Sequence, residues 1–401
     1  MASTKALIKP ELLIWTRNRA KVTIEAAAKA ANVTHEVIQD WELGRDAPTL
    51  SQLRNLAAKY HFPLSVFYLS EPPSDFAPLR DFRRLPETED GTISANLAFH
   101  IRSAYERREL ALELQADLRE STPDFSLRAK LADDPETIGQ SIRHFLGIHD
   151  DAQKRAAREG RPFDFWRRHL EEHNILVFVV SGPHYSVNLE EMRGFALAKD
   201  KLPVLVINGK DYSQGGKCFT LIHELTHILL GESAISNGAE FASIGEDQNI
   251  ERFCDAVAAA TLMPRTLVQS FPQARATGER RWTDDELRTI SQAIGVSREA
   301  LLLRFVTLKR ATWEFYNAQR ARFRREYLKA AEEKSLGEKK SIPIKRSVML
   351  MSWNGRGFTR LVLRSYYDQR ITLNDVSSYL GAKVKYIPAL ERAAFQPATN
   401  E

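Results

Sequence analysis

The stretch Phe219-Thr-Leu-Ile-His-Glu-Leu-Thr-His-Ile-Leu-Leu230 constrains this chain more than any other. Leu221, Ile222, Leu225, Ile228, Leu229 and Leu230 make it apolar on nearly every side, so a helix built from it belongs in a domain interior. Yet it carries His223, Glu224 and His227. Burying two imidazoles and a carboxylate without partners costs several kcal/mol. A metal ion supplies the compensation. His223 and His227 stand four residues apart and share one helix face, where both rings reach a single zinc (Zn2+) at about 2.0–2.1 Å. Glu224 sits beside that face, placed to take a proton from water rather than to ligate. The spacing His-Glu-x-x-His is that of a zinc peptidase, with His223 and His227 as ligands and Glu224 as the catalytic base. A structural helix with two satisfied histidines is the alternative.

A catalytic zinc needs a third protein ligand and an open position. Ala234 to Phe241 contains no histidine, so a later carboxylate must serve. A helix expected from about Asn249 to Leu262, stopped by Pro264, offers Glu251 and, one turn later, Asp255. Glu240, Glu246 and Asp247 lie in an expected loop, and spacing favours Glu251 over them. The helix has an Ala-rich face that lets a neighbour approach closely. His184, Tyr185 and Arg193 are candidates for an oxyanion donor, or else structural and surface residues. Cys218 and Cys254, near the site, read as buried packing residues rather than sensors.

At 401 residues the chain has room for two to three domains. Short helices are expected over residues 11–70, and Pro72, Pro73 and Pro78 mark a linker. A long helix is expected over 94–120, a helix start at Asp133–Thr137 and a helix over Phe163–Glu172. Ile175–Val180, Arg193–Leu197 and Val204–Ile207 read as strands, with Asn208-Gly209 as a turn. Three helix-turn-helix or hairpin patterns recur at Ile24–Ile38, Asp285–Leu302 and Leu373–Leu390, and the last two read better as plain hairpins. Arg304–Arg346 carries 13 Lys and Arg against 5 Asp and Glu, whereas the remainder has 44 against 47. That basic segment is either a contact for nucleic acid or an acidic protein, or a solvated helix face. No run of about 18 apolar residues exists, the N-terminus lacks a secretory core, and there are two cysteines. The expectation is a cytoplasmic protein with no membrane partner.

Thr23 to Gly44 fits a helix pair: Ile24–Ala31, a turn at Asn32-Val33, then His35–Leu43 behind a Thr34 cap. Val37, Ile38 and Trp41 look inward, leaving His35, Glu36, Gln39, Asp40 and Glu42 outward. Gln39 suits adenine and Glu36 cytosine, and Thr34, His35 and Gln39 are the candidate DNA contacts. Three carboxylates on that face repel phosphate, so the partner is either duplex DNA or another protein.

Two resemblances extend these readings. Trp41-Glu42-x-Gly44-x-x-x-Pro48, across residues 11–70, resembles the XRE/Cro-type repressors, whose second helix lies in the major groove. Val206-Ile207-Asn208, Phe219–His227, Arg193-Gly194-Phe195 and Glu251–Pro264 together resemble the ImmA/IrrE metallopeptidases over about residues 160–305. The second resemblance implies zinc ligands at His223, His227 and Glu251, with Glu224 catalytic. It also implies cleavage of a specific repressor protein, itself XRE-like in one reading, to relieve repression of stress, phage or mobile-element genes. Cys254-Asp255 stands where that family has Ala-Asn, and Val257 where it has Phe. Asp255 is placed to orient a ligand. Two other readings stand beside this one. In one the chain is a DNA-binding transcription regulator whose peptidase-like domain is a sensor, though a sensor has no need of Glu224. In the other it is a toxin–antitoxin or phage-defence component acting by protein contacts.

The expected fold is α+β and mostly helical. Residues 1–70 form an XRE-type helix-turn-helix bundle, and 71–150 a linker with long helices. Residues 151–270 form a zincin-like peptidase domain with a small sheet and an active-site helix, and 271–401 a helical C-terminal region.

Overall fold

Capping side chains of Thr23, Asp134, Ser213, Thr283, Ser297 and Thr372 open six of the described helices. The computed structural model describes residues 5–60, 62, 64–72, 80–81, 94–180, 186–232, 234–236, 246–275, 278–338 and 345–395. They fall into two compact units: Met1–Pro78 with Leu85–Tyr105 and Tyr185–Val187, and Leu79–Arg84 with Glu106–His184 and Asn188–Glu401.

In the first unit, α1 (Pro10–Arg19) starts with proline in its first turn, where the missing N–H is no loss. Thr23 accepts from Ala26 N and opens α2 (Ile24–Ala31), which ends at Asn32 in the left-handed region, φ 56°. The chain turns there into α3 (His35–Glu42), and α4 (Leu50–Tyr60) follows. Leu13, Ala27, Ala31, Ile38, Trp41, Leu53, Leu56, Tyr60 and Phe67 form the core. Two expectations are corrected. Thr34 holds the cap position of α3, but its side chain makes no capping bond. Glu42 does not face outward: Arg17 clamps it at 2.6 and 2.9 Å. A forked guanidinium draws a carboxylate into a partly buried pair more effectively than solvent holds it out.

In the second unit, β2 (Leu176–Val180), β3 (Gly194–Leu197) and β4 (Val204–Asn208) lie where the apolar runs placed them. β1 (Arg80–Asp81) and β5 (Ala234–Ser236) were not expected; they complete a sheet of order β1-β5-β3-β4-β2. β2 is parallel to β4 with Leu176 opposite Val204, while β3 is antiparallel to β4 and β5. Every residue of β2, β3 and β4 is buried, which is why these strands read as continuous apolar runs rather than alternating ones.

The helices of this stretch are α5 (Ala95–Asp117), which the division into units splits at Tyr105, α6 (Pro135–Phe145), α7 (Asp150–Arg158) and α8 (Pro162–Glu172), the last packed on β2. Then come α9 (Gln214–Leu229) and α10 (Glu246–Leu262). Beyond these, α11 (Arg265–Gln269), α12 (Asp284–Ile294), α13 (Arg298–Thr307) and α14 (Trp313–Glu338) lead to α15 (Arg346–Asn354), α16 (Arg356–Tyr367), α17 (Leu373–Tyr379) and α18 (Ile387–Phe395). The mostly helical α+β expectation holds. The pair α12–α13 is a packed hairpin, with Leu301, Leu302, Arg304, Phe305 and Val306 of its second helix buried.

Within the described part of the basic segment, four arginines have partners in the fold, while Lys309, Arg324, Arg325, Lys345 and Arg346 are exposed. Arg304 is buried and pairs with Glu136 at 2.6 Å, Arg310 donates to Ala274 O, and Arg320 and Arg322 meet Glu299 and Asp284. No helix among the described residues is long and apolar enough to cross a membrane.

Candidate metal centre

Ser213 accepts from Gly216 N and starts α9 five residues before the apolar run. From Thr220 to Leu229 every residue of α9 is buried, against β3, β4, α8 and α10. His223 is 6% exposed, and Glu224 and His227 are 0% exposed. Opposite lies α10, held close on its far side by α6. A Cβ on Gly139 of α6 would lie 2.9 Å from Thr261 N, so the small-residue face of α10 does admit a close neighbour.

α10 brings Glu251 to both rings. The two Nε2 atoms are 3.2 Å apart, Glu251 Oε2 is 3.4 Å from His223 Nε2, and Oε1 is 3.3 Å from His227 Nε2. Four ligand bonds of about 2.0–2.1 Å in a tetrahedron put donor atoms about 3.3–3.4 Å apart. The three observed separations are of the size found between donors around one zinc-sized ion, with each carboxylate oxygen of Glu251 facing one ring. The donor set of two imidazoles and one carboxylate also suits zinc. Burial alone would favour a neutral Glu251, but the two histidines hold its carboxyl below the ordinary range. Burial likewise opposes a proton on His223, yet Glu251 and Asp255 outweigh it and raise its pKa well above normal. His227, buried and next to His223, is held below the ordinary imidazole value.

Asp255, one turn beyond Glu251, lies 2.8 Å from His223 Nδ1. A proton on Nδ1 donates to that carboxylate and leaves the Nε2 lone pair facing Glu251 and His227. Cys254 is also in reach: its sulfur and one ring nitrogen of each histidine lie within 4.8 Å of one another. Burial, reinforced by Glu251 and Asp255, pushes its thiol well above the ordinary pKa.

Glu224 is packed against β3. A Cβ on Gly194 would lie 2.9 Å from both Glu224 Cγ and Oε1, and 2.8 Å from Thr220 Cγ2. Only a residue without a side chain leaves room there for the glutamate. The strand's end is secured by buried Asn208, which donates to Met192 O at 2.8 Å and accepts from Lys210 N at 3.0 Å.

Of the other expected residues, Glu240, His184 and Tyr185 lie outside the described residues, as do the side chains of Glu246 and Asp247. Arg193 comes within 3.9 Å of Asp211. In the first unit, Thr34, His35 and Gln39 are all exposed. The roles of Gly194 and Cys254 were not anticipated. A lone glycine inside a strand was the available signal for the first. Cys254 carried a weaker signal, three residues beyond Glu251 and so on the same helix face.

Comparison with known families agrees with this geometry. Residues 170–306 match the model of the IrrE N-terminal-like domain of the peptidase M78 family, and residues 13–67 match a helix-turn-helix model. The chain thus carries one region similar to a metallopeptidase-family domain and another similar to a helix-turn-helix. No curated protein matches it.

Proposed function

We propose that the chain is a zinc endopeptidase with His223, His227 and Glu251 as ligands and Glu224 as general base. The observation that carries this reading is the convergence of two Nε2 atoms and a carboxylate at 3.2–3.4 Å inside a buried site. Zinc held there supplies Lewis acidity and makes water acidic enough to lose a proton near neutral pH. Glu224 receives that proton as the water attacks a peptide carbonyl, then returns it to the departing amine. Asp255 keeps His223 in the tautomer that ligates. Burial of α9 excludes bulk water from the carboxylate and strengthens its pull on the proton.

The substrate we propose is a transcriptional repressor, itself XRE-like, whose cleavage relieves repression in a stress or mobile-element response. The helix-turn-helix in the same chain supports it, because such modules pair with their own kind or share an operator. We propose duplex DNA as a second partner, contacted through exposed Thr34, His35 and Gln39. With Glu42 folded onto Arg17, one of the three repelling carboxylates has left that face. Two buried free cysteines fit a reducing, cytoplasmic setting.

Co-expression with candidate repressors tests the reading. Glu224→Gln should retain one zinc and lose cleavage, while His227→Ala and Glu251→Ala should lose zinc. Cleavage by Glu224→Gln, or full zinc in either ligand variant, would reject the assignment. Duplex binding should weaken with salt, and a salt-independent or absent shift would remove DNA as a partner.

A further inference from the structure

We propose that Cys254 is a sulfur ligand of the metal held by His223 and His227, competing with the hydrolytic water for its position and so lowering the turnover of the wild-type peptidase. This inference rests on the proposed metal site and deepens it. Glu251 and Cys254 are three residues apart on α10 and share the face turned to α9. The Cys254 sulfur and one nitrogen of each ring lie within 4.8 Å of one another, and the residue is 0% exposed. A tetrahedral centre with a zinc–sulfur bond of about 2.3 Å has nitrogen–sulfur edges of about 3.6 Å. Drawing the sulfur in by up to about 1.2 Å therefore completes the coordination. Ligation releases the thiol proton to solvent and leaves the thiolate on the metal. Two histidines, a glutamate and a cysteine close a four-coordinate site, whereas catalysis requires an open place. The open place returns when the sulfur leaves the metal.

The test needs no peptide substrate. X-ray absorption of the zinc-loaded wild-type chain should show one sulfur scatterer at about 2.3 Å. The cobalt-loaded chain should show a near-ultraviolet sulfur-to-cobalt charge-transfer band. Cys254→Ala and Cys254→Ser should lose both signals yet keep one equivalent of metal, and Cys218→Ala should keep both signals. Sodium azide should shift the visible cobalt bands of Cys254→Ala more than those of wild type, because only in the variant is the position free of competing sulfur. One bound metal without a sulfur signal in wild type would overturn the role of Cys254 and leave the metal site standing. Failure of wild type to bind either metal would overturn both.

Discussion

Replacing Gly194 by alanine adds one methyl group at the point where β3 meets Glu224, the proposed general base. The new Cβ would stand 2.9 Å from Glu224 Cγ and Oε1, and 2.8 Å from Thr220 Cγ2. Carbon atoms in comfortable contact sit about 3.5–4.0 Å apart, so something must yield by about 0.6–1.1 Å. β3 cannot move freely, because Gly194 pairs with Ile207 on one side and Ser236 on the other. α9 is equally fixed by burial along its length. The Glu224 side chain therefore swings. A displacement of about 1 Å in a catalytic group lowers turnover on the order of 10²-fold. Overpacking costs about 1–3 kcal/mol, offset by about 0.5–1 kcal/mol because alanine is less flexible than glycine when unfolded. The variant should therefore fold with a modestly lower unfolding midpoint. It should hold a full equivalent of zinc, since the new methyl group points at Glu224 and Thr220 rather than at the ligand rings. It should cleave a co-expressed repressor about a hundredfold more slowly than wild type. Metal analysis, thermal unfolding and a cleavage time course separate these effects. Wild-type cleavage by Gly194→Ala, alongside a dead Glu224→Gln, would refute the claim that this strand holds the glutamate in place.

Other substitutions probe the surroundings of the centre and the scaffold. Asp255→Asn should weaken zinc affinity about 10–100-fold in a chelator competition, and undiminished affinity would deny Asp255 its hold on His223. Zinc affinity should also rise with pH from the ordinary histidine value near 6.5 upward. Glu251 and Asp255 raise the His223 pKa against the effect of burial, so the metal must displace that proton. The gain is at least about tenfold per pH unit until the raised pKa is passed, with the His223 proton released on binding and a second one where Cys254 ligates, and a flat profile would contradict it. The sign for the metal-free fold is opposite: the stability from protonated His223 is fully present below the unfolded pKa and is lost as pH rises through the folded one. Arg304→Met should destabilise the second unit by about 3 kcal/mol in denaturant titration, by breaking the buried contacts to Glu136 and Met263 O. A loss under about 1 kcal/mol would mean that Glu136 finds equivalent partners.

Much of this molecule could be read from local pattern. The apolar helix with His223 and His227 one turn apart, the strands at 176–180, 194–197 and 204–208, and the capped helix pair of the first unit all lie in short windows. Within such a window, side-chain periodicity follows directly from backbone geometry. The boundary errors follow from the same logic. α9 begins at Gln214, well before its apolar run, because Ser213 rather than hydrophobicity starts it. β1 and β5 escaped notice because a strand of two or three residues has no period to detect.

Charge was the least legible property. A count over Arg304–Arg346 suggested a basic surface, yet Arg304 and Arg310 are buried and bonded to groups 168 and 36 residues away. Glu42 was expected in solvent and instead lies against Arg17, 25 residues earlier. Composition records how many charges a segment holds, but which are neutralised depends on what the fold places beside them.

The amino-acid order alone determined that an apolar helix carries two histidines and a glutamate on fixed faces, the pattern from which a metal ion is expected. Helical spacing is a local property, and so is the free-energy cost of an uncompensated imidazole in an apolar setting. Packing decided the rest: which acid approaches the rings, that Asp255 grips His223, that Gly194 makes room for Glu224, and that Cys254 stands within reach. Each of these joins residues from separate elements, and the distance between elements is set by the whole core rather than by any window of sequence.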